Sequence, residues 1–140
     1  MNNMLNRKGS AEIIGFLLIL PFLLLPIINT VNMLGDLVRY DALRLAAKQA
    51  LLRMEIEGGM TEDGMYILDS FLQSKNIDPA DVHVDCTPYP VNYGEEVRIC
   101  LTYQHRSRRY YITLTGLRRV EKDEPMVYGP ISSVSKRRIE

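Results

Sequence analysis

The rhythm of apolar and polar positions changes three times along the chain. From Ile13 to Gly35 no residue is charged. These 23 positions would extend about 34 Å as a helix at ~1.5 Å per residue, enough to cross a ~30 Å hydrocarbon core. A soluble helix of that length would show polar positions at each turn, so the pattern predicts a membrane span over 13–35. Pro21 and Pro26 lie inside it. Each would cost about 3 kcal/mol in the interior of a soluble helix. In a bilayer, neighbouring helices and local adjustments satisfy the freed carbonyls, so kinks rather than a break are expected, with a bend near Leu17–Phe22.

The helical rhythm continues past Gly35. Leu34, Val38, Leu45, Leu52 and Ile56 recur at spacings of four and seven, one stripe of a helix. Leu43, Ala46, Ala47, Ala50 and Met54 widen that stripe, and Gly58-Gly59 supplies a stop. The prediction is one helix over 10–57, membrane-embedded first and amphipathic over 36–57, with Gly35 as its joint. Thr61 then caps a short helix, with Glu62 and Asp63 in a first turn that favours negative charge. Met65, Leu68, Phe71 and Leu72 share one side of that helix, and Asn76 and Asp78-Pro79 end it.

After Pro79 the period shortens to two. VHVDC, EEVRICLTY and RYYITLTGLRRV are rich in β-branched and aromatic residues and read as strands, with PYPVNYG and QHRSRR as turns. A further short strand at Met126–Tyr128 would make four. The fold class is therefore α+β: a long N-terminal membrane-spanning helix that becomes amphipathic, a second short helix, and a small antiparallel meander of three or four strands. The divisions are a basic leader over 1–9, the long helix over 10–57, a head over 60–130 and a polar tail over 131–140.

Charge fixes direction. Arg7 and Lys8 precede the span and Asp36 follows it, so the N-terminus is expected in the cytoplasm and the head outside it, with the protein in the cell membrane as a single-pass chain. A cleavable secretory signal is the competing reading. The apolar stretch exceeds the ~7–15 residues of a usual signal core, and no Ala-x-Ala follows it. Net charge is zero, but from Asp36 to Pro90 ten acids face five bases, and from Val91 to Glu140 six acids face ten bases. That asymmetry of −5 and +4 serves either docking within a subunit or contact between subunits.

Catalytic chemistry is thin. His83 and His105 have no metal-type neighbours at ligand spacing, no glycine-rich phosphate loop follows a strand, and acid pairs sit at turns and caps. No enzyme activity, cofactor, metal or small-molecule substrate is expected. HRSRRYY carries the basic and aromatic mix of a nucleic-acid surface, but a solvated turn explains it better. The two cysteines suggest a bond. With VHVDC paired to VRICLTY so that Cys86 faces Cys100, Val84 faces Thr102 and Val82 faces Gln104, the Cα separation would suit a disulfide. Closing a loop of about 15 residues would then stabilise the head by about 3 kcal/mol.

The N-terminus resembles a known family. RKG, followed by Glu12 and an apolar helix containing LPFLLLP, is similar to type IV pilin-like proteins and, more narrowly, to TadE-type pseudopilins of tight-adherence systems. GDLVRYDALRLAAKQALLR resembles the alanine- and arginine-bearing helix that follows the membrane in that group. The resemblance covers about 7–59. It implies cleavage by a prepilin peptidase between Gly9 and Ser10, and a new amine that meets Glu12 of a sister subunit. Here Glu12 would stand third after the cut, where the family usually places its acid fifth. The resemblance implies a structural pseudopilin or minor pilin that packs with other pilin-like subunits in the membrane or in a surface fibre. The alternative is a monomeric, single-pass membrane-anchored domain that binds an extracytoplasmic ligand.

Overall fold

A computed structural model describes residues 2–137, with side chains from Ala11 onward. Helix α1 runs unbroken over Asn2–Glu57, with Pro21 and Pro26 inside it. Helix α2 spans Glu62–Ser74, a 3-10 turn spans Pro79–Asp81, and three strands follow: β1 at Val82–Cys86, β2 at Glu96–Thr113 and β3 at Gly116–Val134. The sheet order is β1-β2-β3. The fold is thus α+β, with an apolar N-terminal helix, a second short helix and a three-stranded antiparallel sheet.

Contacts divide the chain into two units. One holds α1 as far as Gly35 together with Ser107–Lys122; the other holds Asp36–Arg106 and the chain from Asp123 onward. α1 itself continues unbroken through Gly35.

The second unit contains the core. Ala42, Leu43, Ala46, Ala47, Ala50 and Met54 of α1 pack against Leu68 and Leu72 of α2 and against Val97, Ile99 and Leu101 of β2. Small alanines let helix and sheet approach closely, because side-chain size at the contact sets the interaxial distance. Thr61 caps α2 by accepting from the Gly64 N–H at 3.1 Å, with Glu62 and Asp63 in the first turn. Between the helices, the N–H groups of Gly58 and Gly59 both donate to the Met54 carbonyl at 2.9 Å. Their φ angles are +80° and +117°. A Cβ at Gly58 would stand 2.7 Å from the Val91 carbonyl oxygen, so conformation and space both require glycine there.

The sheet departs from expectation in three ways. QHRSRR is not a turn, and Met126–Tyr128 is not a separate strand but part of β3. β2 continues through QHRSRR to Thr113 because the alternation persists: Val97, Ile99, Leu101, His105 and Ser107 are all buried, and no glycine or proline interrupts them. The chain reverses instead at Leu114-Thr115, just ahead of Gly116 with φ +122°, so RYYITLTGLRRV is not one strand but the end of β2 and the start of β3.

The third departure removes the disulfide. Cys86 pairs with Ile99 and Cys100 with Asp85, one residue away from the expected register. Opposed residues of an antiparallel pair share a face, so Cys86 and Cys100 project from opposite faces, and both thiols are free. The reason is burial. Val82 and Val84 must lie on the face of Val97, Ile99 and Leu101 to reach the core, and the observed pairing of Val82 with Tyr103 and Val84 with Leu101 does this. The register that joins the cysteines would turn both valines to the opposite side.

The first part of the expected tail is tied in. Ile131–Val134 belongs to β3, and Lys136 donates from its main chain to the Glu55 carbonyl at 2.7 Å.

Candidate functional site

Two surfaces of α1 and one hairpin carry the functional interest. The N-terminal stretch of α1 from Ile13 is apolar and exposed: Phe16, Leu18, Phe22 and Ile27 all lie open. It is long and apolar enough to cross a membrane, and no residue of its most apolar window is buried. Glu12, at the threshold of this stretch, is exposed and makes no ion pair among the described residues. The expected cleavage point, Gly9 and Ser10, has side chains outside the described residues.

The C-terminal half of α1 has a divided apolar surface. The alanine face is buried in the core, whereas Val38, Leu45, Leu52 and Ile56 remain exposed, at 69%, 48%, 59% and 71%. The stripe and its widening residues therefore belong to two different surfaces. An aliphatic row outside the apolar span is left without cover in the single chain.

Within the first unit, α1 and the β2–β3 hairpin meet through asparagines. Tyr110 donates its N–H to Asn29 Oδ1 at 3.0 Å, and Asn29 Nδ2 donates to the Tyr110 carbonyl at 2.9 Å. Asn32 Nδ2 donates to the Arg108 carbonyl at 3.2 Å. β1 covers β2 only as far as Tyr103, and even-numbered β2 residues such as Arg98 offer their main-chain groups toward that side. Arg108 and Tyr110 continue this edge, so the Asn29 carboxamide substitutes for a missing strand. Both bonds would otherwise be open edge groups. Sequence reading missed this role. The available signal was a pair of asparagines three residues apart in an otherwise apolar run.

The second unit holds its own polar joins. His105, expected in a solvated turn, is buried in β2, with Nε2 2.7 Å from Asp36 Oδ1 and its ring stacked on Tyr103 at 5.7 Å between centroids. Lys136 Nζ donates to Glu55 Oε2 at 2.6 Å. That bond and one from the Ser133 hydroxyl hold the Glu55 carboxyl below the usual carboxylate range, against the opposing effect of burial. The Thr61 hydroxyl and Arg53 do the same for Glu57. Burial pushes the Cys86 thiol up, and neighbouring Asp85 adds to the effect. Part of the charge asymmetry in the sequence is thus used inside the subunit, at Lys136 and Glu55.

Among the described residues, no three His, Cys, Asp or Glu side chains converge as a metal site would require. The chain matches no protein-family model, no curated protein and no solved structure.

Proposed function

We propose that this protein is a structural subunit, a pseudopilin or minor pilin of a tight-adherence or type IV pilus-like system. It acts by packing α1 against similar helices rather than by catalysis. The observation that supports this reading best is the exposed row Val38, Leu45, Leu52 and Ile56. A simple tether needs apolar surface only where lipid touches it. A helix that packs with sister helices needs it beyond the bilayer as well, and this row continues the apolar surface in the direction of the head.

In this reading the N-terminus is cytoplasmic and the head extracytoplasmic, in the cell membrane or in a surface fibre. A prepilin peptidase cuts between Gly9 and Ser10, and the freed amine approaches Glu12 of the next subunit. A carboxylate at mid-span costs roughly 2.5–3.5 kcal/mol, and less near the interface, so a partner amine offsets a modest but real penalty. Pro21 and Pro26 shape the segment that packs.

The test is crosslinking in the native envelope. With Cys86 and Cys100 replaced by serine, single cysteines at Leu24 and Leu52 are oxidised in place. Helix-to-helix adducts at both positions are expected, and Glu12→Gln should reduce them. No adducts from a stably folded chain would leave the monomeric membrane-anchored binding domain. Mass measurement of the mature chain tests processing separately, since an intact Met1 or Asn2 terminus excludes the cut.

A further inference from the structure

The asparagine contacts hold a charged hairpin against the stretch of α1 that reads as a membrane span. Asn29 and Asn32 both lie within the uncharged run 13–35, about 9 and 4.5 Å before its end at Gly35, at ~1.5 Å per residue. They bind main-chain groups of Tyr110 and Arg108, so β2 runs antiparallel to α1 here. Leu114 lies four residues further on, about 13 Å at ~3.3 Å per residue. That distance matches roughly nine helical residues, so on this course the tip stands beside α1 near Leu20, well inside the apolar run.

The hairpin is not built for hydrocarbon. Ser107–Lys122 carries five cations against Glu121 alone, a net charge of +4. Arg108 lies 3.5 Å from Glu121 across the hairpin, which sets Arg118 and Arg119 about level with the Asn29 contact. Arg109 and Arg118 are exposed and have no ion-pair partner among the described residues. Beyond Tyr110 the β2 edge has no partner strand among the described residues, and β3 is the outer strand of the sheet. Open strand edges are excluded from lipid-facing positions because no water satisfies them there, and arginines at such depth are costly. Acyl chains and the hairpin therefore compete for one side of α1.

We infer that Ser107–Lys122 is a strap that docks on Asn29 and Asn32 only when that part of α1 stands outside lipid. Docking of the strap and full insertion of 13–35 then exclude each other. This rests on the reading of 13–35 as a membrane span. The two asparagines carry the exchange. Docked, their carboxamides are satisfied by the strap; inserted, they lose those bonds and enter lipid as polar groups. Leucine at both positions would favour insertion and leave the strap nothing to bind. The head does not oppose release, because no residue of the strap belongs to the hydrophobic core. The docked form thus belongs to a chain whose helix has not entered the bilayer or has left it.

The experiment uses the full chain with Cys86→Ser and Cys100→Ser, one copy per phosphatidylcholine nanodisc. Nitroxides sit on Ile28→Cys and Tyr111→Cys, exposed positions that flank the Asn29–Tyr110 contact. Oxygen against nickel-chelate accessibility of a single label at 28 reports lipid, and the dipolar distance between 28 and 111 reports the strap. A second chain carries Leu17→Lys, Phe22→Lys and Leu24→Lys, all at exposed positions, and is read in lipid-free buffer with its head folded by circular dichroism. In discs, the label at 28 should lie in lipid and the pair should stand far apart. In the lysine chain the pair should give one short distance, and Asn29→Leu with Asn32→Leu should abolish it. A short distance in discs with 28 in lipid overturns the exclusion and leaves the span intact, whereas 28 in water in discs removes the span and the inference together. A long distance in the lysine chain means that no strap docks, and overturns the inference as well. A short distance that survives the leucine pair overturns the role of the asparagines.

Discussion

Leu43 and Leu45 stand two residues apart on one helix and meet opposite environments. Leu43 is fully buried, with the alanines around it against α2 and β2; Leu45 is half exposed, in a row with Val38, Leu52 and Ile56. The difference shows how one apolar helix serves two masters. The side with small residues accepts a close partner from its own chain. The side with larger aliphatic residues is left uncovered by the chain itself.

The largest expected effect separates these two faces directly. Leu43→Ala should destabilise the head by about 2–5 kcal/mol through lost burial and a cavity, while Leu45→Ala should stay within about 0.5 kcal/mol. Denaturant unfolding of the detergent-solubilised chain measures both. Equal losses would erase the distinction. Next, Ala46→Leu should cost about 1–3 kcal/mol by overpacking the tight face. The same alanine-to-leucine change at an open position has no such clash to make.

A pH experiment sharpens the comparison at the end of α1. Glu55 and Glu57 have carboxyls held below their ordinary range, so folding favours their charged forms. Their contribution is complete above the unfolded carboxylate value, about 4.3, and is lost as pH falls through the lowered folded values. Lys136→Ala removes the main donor to Glu55, so acid unfolding monitored by circular dichroism should begin at a higher pH. An unchanged acid midpoint would exclude a role for that pair. Asn29→Ala should have a smaller and local effect, faster amide exchange at Tyr110 with unfolding of the head core unaltered. The smallest effect is chemical: denatured, unreduced protein should show two reactive thiols, and a single disulfide-linked loop in peptide mapping would contradict the observed register.

Much of the architecture could be read from the residues, and the failures have identifiable causes. The C-terminal end of α1 and the start of α2 were legible because Gly58-Gly59 and Thr61 are local signals that act on adjacent backbone, whereas α1 begins at Asn2 and not at residue 10. The split of the apolar surface on α1 was not. Periodicity marks which positions are apolar, but when two faces of one helix are both apolar it cannot tell which of them the chain's own core will cover. The strand register was decidable in principle from parity. Burying Val82 and Val84 with Ile99 and Leu101 already separates the cysteines, but the attraction of a cysteine pair concealed this. QHRSRR misled for a related reason, since charge suggested solvent while the alternating His105 and Ser107 carried the strand onward. Asn29 depends on a strand 81 residues away, and its one local trace is a second asparagine three residues on in an apolar run.

The ionic link from Lys136 to Glu55 also sets an order of events during synthesis. The two residues are 81 positions apart, so at ~5–20 residues per second the ribosome needs roughly 4–16 s to deliver the lysine after the glutamate. Until β2 is made, about halfway through that interval, the alanine flank of the nascent helix lacks its strands, although the greasy N-terminal segment is already made. The apolar segment is therefore made before the head is complete, and the alanine face of α1 waits for its own sheet to cover it.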